Sequence, residues 1–129
     1  MIIRIKNLRL RTIVGVNDWE RQAPQDVVLN LEVAFDAGRA AKTDRLEDTL
    51  DYRALKKRIA EAVERSRFQL LEGLAAHVLE LVMQEPRVSA ATVEVDKPGA
   101  LRFADSVSVT CSAGRRPDRN AAAARATSA

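Results

Sequence analysis

Residues 27–35, VVLNLEVAF, set Val27, Leu29, Leu31, Val33 and Phe35 on every second position, while Asn30, Glu32 and Asp36 fall on the other. Successive side chains of an extended chain point to opposite faces, so this segment is a strand with one buried face and one wet face. That narrows the fold to a sheet covered on one side only. Residues 106–112 repeat the pattern, with Val107, Val109 and Cys111 against Ser106, Ser108, Thr110 and Ser112. In residues 90–96, Ala91, Val93 and Val95 oppose Thr92, Glu94 and Asp96. The N-terminal IIRIKNLRLRT also alternates, but Ile3 and Ile5 are odd-numbered and Leu8 and Leu10 even. This slip of phase predicts a bulge or bend near Lys6-Asn7.

Two helical patterns lie between the second and third strands. Tyr52, Leu55, Ile59 and Val63 recur at spacings of three and four behind Asp51, a suitable N-cap. Leu71, Leu74, Ala75, Val78, Leu79 and Val82 repeat the spacing until Pro86 stops it. The order ββααββ predicts an α+β domain, a four-stranded antiparallel sheet with both helices on one face. Its bare face would carry Asn30, Glu32, Thr92, Glu94, Ser108 and Thr110. Open sheet edges tend to pair with another chain, so a ring of such sheets around a polar tunnel is expected rather than a monomer.

Composition removes several classes. At 129 residues the chain fits one folded domain, read as 1–113, followed by an Arg/Ala-rich tail, 114–129, expected to be disordered. That tail holds four of the 21 basic residues and one of the 18 acidic ones, leaving 17 of each before it. The basic charge therefore belongs to the tail, and aromatics at 4% are too few for a base-stacking platform; no nucleic-acid partner is expected. No apolar run approaches the ~20 residues that cross a bilayer, and the apolar start of MIIRIKN is too short for a signal peptide. A single cysteine, Cys111, excludes an internal disulfide and suits a reducing cytoplasm. One histidine, His77, without a cysteine cluster argues against a protein-built metal site.

Four residues could carry chemistry, and each has a plainer reading. Glu20, in GVNDWE, could be a solvated loop carboxylate, and Tyr52, in LDYRAL, a core tyrosine at a helix start. Glu72, in FQLLEGL, sits where a helix dipole favours an acid, and Lys97 could be an edge lysine that discourages aggregation. His77 lies off the apolar stripe and receives no role. Spacing alone leaves the function open.

The combination says more. GVNDWE near 20, LDY near 52, FQLLE near 72 and DKPGAL near 97, on a ββααββ order, resemble the dihydroneopterin aldolase family of the tunnelling fold across about residues 2–113. IIRIKNLRLRT and ALRFADSVSVT are more similar to its dihydroneopterin triphosphate 2'-epimerase branch, while Asp18-Trp19-Glu20 and Pro98-Gly99 lean towards the aldolases. The resemblance implies a homo-octamer of two tetrameric rings with active sites between neighbouring subunits, a small dihydropterin substrate, and neither metal nor cofactor. It also implies that Glu72 and the Leu71 backbone hold the pterin, and that Lys97, Glu20 and a neighbour's Tyr52 act at the side-chain hydroxyls. Arg102, just past Lys97, is a candidate phosphate contact; Arg53, Lys56 and Lys57 are weaker ones. Retro-aldol cleavage at C1'–C2' would serve either an epimerase or an aldolase.

Overall fold

Strand β2 (Gln25–Phe35) lies inside the sheet, as its unbroken apolar row requires. The computed structural model describes residues 1–115 and flanks β2 with β1 (Ile2–Thr12) and β3 (Val88–Pro98). β4 (Ser106–Gly114) completes an antiparallel sheet of order β1-β2-β3-β4, which leaves β1 and β4 as edges. The register aligns Ile5, Leu31, Val93 and Cys111 in one row across all four strands.

The predicted irregularity in β1 is a bulge. Ile5 pairs with Leu31 and Leu8 with Leu29, so Lys6 and Asn7 together face the single residue Asn30. Asn7 takes φ 55°, a left-handed conformation that asparagine tolerates better than most residues, and its N–H donates to Asn30 Oδ1 at 2.8 Å. The bulge restores the phase, so that Leu10 and Thr12 are buried.

Both helices cover the apolar face. Helix α2 (Tyr52–Arg65) buries Leu55, Ile59 and Val63 on the β1 side. Helix α3 (Leu71–Met83) buries Leu74, Ala75, Val78 and Val82 over β3 and β4. Tyr52 does not join this stripe; it is 52% exposed, and the buried row begins at Leu55. Sequence periodicity also passes over a six-residue helix α1 (Gly38–Thr43) and 3-10 turns at Asp18–Arg21 and Leu46–Asp48, all too short to show a repeat. The opposite face is polar as expected. There Asn30 Nδ2 donates to Glu94 Oε1, Thr92 and Ser112 share a hydrogen bond, and Arg4 pairs with Glu32.

The expected tail lies outside the described residues from 116 onward, but its first two residues are part of the fold. Gly114 ends β4, and Arg115 donates to the carbonyls of Met83, Glu85 and Val88. These acceptors include the last residue of α3, whose terminal carbonyls have no partner within the helix. Among the described residues, no helix is long and apolar enough to cross a membrane.

Asp51 caps α2, its Oδ1 accepting from the N–H groups of Arg53 and Ala54 at 3.1 Å each. Asp51→Ala should lower stability by about 1 kcal/mol, measured as a reduced urea midpoint at unchanged slope.

Candidate active site

Lys97 continues the odd-numbered, helix-facing row of Ala91, Val93 and Val95, so alternation drives its side chain inward; it is only 7% exposed. A buried ammonium needs partners. Nζ donates to Val14 O at 3.2 Å and to Glu20 Oε2 at 2.5 Å. Glu20 is itself 6% exposed, and its second oxygen, Oε1, accepts from Asn17 N at 3.1 Å and Asn17 Nδ2 at 2.9 Å. The Lys97 hydrogen bond holds the Glu20 carboxyl below the ordinary carboxylate range; burial opposes this, and the Asn17 backbone N–H assists it. Because the folded value is depressed, the stability this contributes is complete above the ordinary carboxylate value and is lost as pH falls through the folded one.

The loop after β1 delivers Glu20. Asn17 opens the 3-10 turn Asp18–Arg21, and Gly15 makes room for the carboxylate. A Cβ on Gly15 would lie 2.2 Å from Glu20 Cδ and 2.4 Å from both its oxygens, and Gly15 adopts φ +135°, which side-chain-bearing residues avoid. Arg21 then fastens the loop to the segment before α3, donating to the carbonyls of Gly15, Phe68 and Arg67 at 2.7–3.1 Å. Gly15 N–H also donates to Phe68 O at 3.2 Å.

The same segment carries the next two candidates. The Phe68 ring lies over Gly73, where a Cβ would come within 2.9 Å of it. Leu71, partly buried, and Glu72, exposed, occupy the first turn of α3 just beyond this contact. Arg102 is exposed in the turn after β3, its guanidinium 5.5 Å from the Phe103 ring centroid, and it forms no ion pair among the described residues. Tyr52 stands apart, bordering surface depressions lined by Ile3, Ile5, Leu46 and Arg53 beside β1, at the other sheet edge from β4. One chain therefore brings Glu20 and Lys97 into contact, ties the Leu71–Glu72 turn to their loop, and leaves Tyr52 elsewhere.

Sequence reading missed Gln25. It shares the phase of Val27 and Leu29, pairs with buried Thr12 across β1, and its Nε2 is buried without a partner. A polar residue in the apolar phase at a strand terminus was the available signal, and the same signal marks Lys97. Chemically, the pair can hold or move a proton at Nζ. Two of the three ammonium donors are engaged, and the carboxylate beside it can share the charge.

A half-covered α+β sheet with a buried lysine–carboxylate pair at one strand end defines a small domain equipped for proton transfer. The family model described as FolB, dihydroneopterin aldolase, matches residues 3–112. The chain belongs to that family. It is 48% identical over 114 residues to dihydroneopterin triphosphate 2'-epimerase of Pseudomonas aeruginosa, covering 88% of this chain and 92% of that one. Against dihydroneopterin aldolase of Escherichia coli the identity is 34% over 119 residues, covering 92% and 98%. The crystal structure of E. coli dihydroneopterin aldolase in complex with neopterin superposes with a TM-score of 0.84 at 34% identity, over 88% of this chain and 99% of that one.

Two outcomes follow from the geometry. Gly15→Ala should displace the Glu20 carboxylate and strain the loop, lowering stability by roughly 1–3 kcal/mol in urea unfolding. Lys97→Met should cost about 3–5 kcal/mol by stranding Glu20, while the Lys97→Met/Glu20→Gln double variant should recover part of that loss. Simple additivity in this double-mutant cycle would show that the pair is not coupled.

Proposed function

We propose that the chain is a dihydroneopterin triphosphate 2'-epimerase, converting 7,8-dihydroneopterin triphosphate to 7,8-dihydromonapterin triphosphate. The observation that carries this reading is the gap between 48% identity to an epimerase and 34% to an aldolase, each across nearly the whole relative. The buried Lys97–Glu20 pair supplies the chemistry that the reading needs.

In a 7,8-dihydropterin, a ring C=N bond adjoins the side chain. Lys97, backed by Glu20, takes the proton of the 2'-hydroxyl directly or through a water. The C1'–C2' bond breaks, its electrons pass into the ring imine, and C2' leaves as an aldehyde carrying the phosphorylated carbon. Because the substrate holds its own electron sink, the step needs neither a Schiff base nor a metal. If the aldehyde is retained, turns and is attacked on its other face, C2' is inverted and the proton returns to its oxygen. Glu72 accepts the pterin ring N–H and amino hydrogens, with the Leu71 backbone beside it, and Arg102 meets the phosphates. Tyr52 enters from a neighbouring copy, which accounts for its distance from Lys97. The open β1 and β4 edges support closure into rings, read as two stacked tetramers.

Cleavage is the second reading. The same pair serves it if the aldehyde escapes and C1' is protonated instead, by Tyr52 or a water, giving 6-hydroxymethyl-7,8-dihydropterin and glycolaldehyde. Purified protein supplied with dihydroneopterin triphosphate and, separately, with dihydroneopterin decides between them. The expected result is a monapterin product formed preferentially from the triphosphate; 6-hydroxymethylpterin arising chiefly from the unphosphorylated compound would make the protein an aldolase. Lys97→Ala should lower kcat at least about 10²-fold for either reaction while neopterin still binds.

A further inference from the structure

The turn between β3 and β4 contains a conformation that packing does not explain. Phe103 is 102% exposed, so its ring fills no part of the core. Its φ is +69°, in the left-handed region that a bulky side chain rarely occupies. Strain of this kind persists where the surrounding structure enforces it, and it gathers at functional sites. The enforcement is visible. Gly99 also turns left-handed at φ +70°, Gly99 N–H donates to Asp105 O, and Ala104 N–H donates to Leu101 O, both at 3.3 Å. The turn starts two residues after Lys97, so its position is tied to that of the buried pair.

The strained residue lies beside a cation, the guanidinium of Arg102 being over its ring at 5.5 Å from the centroid. A guanidinium held over a ring face by a cation–π contact keeps N–H donors available to grip a phosphate by two hydrogen bonds. Arg21, on the Glu20 loop, is committed to three backbone carbonyls, whereas Arg102, five residues after Lys97, has no ion pair among the described residues.

We propose that Phe103 is a positioning residue, whose ring, held outward by the strained turn, fixes Arg102 so that it selects substrates bearing a polyphosphate end. This rests on the phosphate preference proposed above but not on which reaction follows bond cleavage.

The test compares wild type with Phe103→Ala, Phe103→Tyr, Phe103→Gly and Arg102→Ala. Three quantities are measured: kcat and KM for dihydroneopterin triphosphate, the same for dihydroneopterin, and the inhibition constant of inorganic tripolyphosphate. Phe103→Ala should reduce the preference for the triphosphate, as a ratio of kcat/KM values, roughly two- to fivefold, the worth of an exposed cation–π contact. The change should sit in KM, with the tripolyphosphate constant rising in parallel, and Phe103→Tyr should restore both. Phe103→Gly should weaken phosphate recognition as alanine does yet raise the urea midpoint, because glycine relieves the strain. A structural residue would not separate the two effects in this way. Loss of preference in Arg102→Ala with none in Phe103→Ala would overturn the proposal, as would a wild type that treats both substrates alike and ignores tripolyphosphate. A Phe103-dependent preference in an enzyme that only cleaves would uphold it and overturn the epimerase reading instead.

Discussion

A lysine inside an apolar row needs a reason, and around Lys97 the structure supplies it in layers. Its ammonium requires an anion, and Glu20 arrives on a loop that passes over Gly15, where a hydrogen takes the place of a Cβ. Asn17 occupies the second carboxylate oxygen, and Arg21 fixes the loop to the segment that starts α3. A buried ion pair is a weak source of stability, since well-packed apolar residues in its place often do as well or better. Two charges held here at the expense of solvation are therefore not accounted for by fold stability alone.

The sheet separates its tasks by face and by end. Its wet face carries side chains that satisfy one another, as Asn30 does with Glu94 and Thr92 with Ser112. Its covered face is apolar through the row that holds Leu31 and Val93 and turns polar at the end where Thr12, Gln25 and Lys97 lie. The site thus forms where the hydrophobic layer runs out, with rigid strand ends holding the lysine and a glycine-bearing loop bringing the acid.

Much of this was legible in the sequence because it rests on local periodicity. The row Val27 to Phe35 reports strand and buried face together, and the shift from Ile5 to Leu8 reports the bulge through parity alone. Asp51 reads as a cap because a short acid before an apolar stripe has few other uses. The short helix at Gly38–Thr43 was illegible, being less than two turns long. Side-chain pairing across distant segments was also illegible from spacing. Glu20 and Lys97 are separated by 77 positions, and only the resemblance to a known family named them together. Lys97 did carry a local mark, an odd number in an odd-numbered apolar row, and Gln25 carried the same one. Tyr52 misled in the opposite direction: its spacing fitted the helix stripe, yet its side chain lies outside the core.

The docking of Arg115 onto the end of α3 has a practical side. Met1 pairs with Phe35, and Gly114 with Ala90, at one end of the sheet, whereas Lys97 pairs with Val107 at the other. Val107 and Gly114 are seven residue steps apart along β4, which at ~3.3 Å per step is roughly 23 Å. An affinity handle or surface linker joined directly to Arg115 would therefore leave the domain from the end of the sheet remote from Lys97.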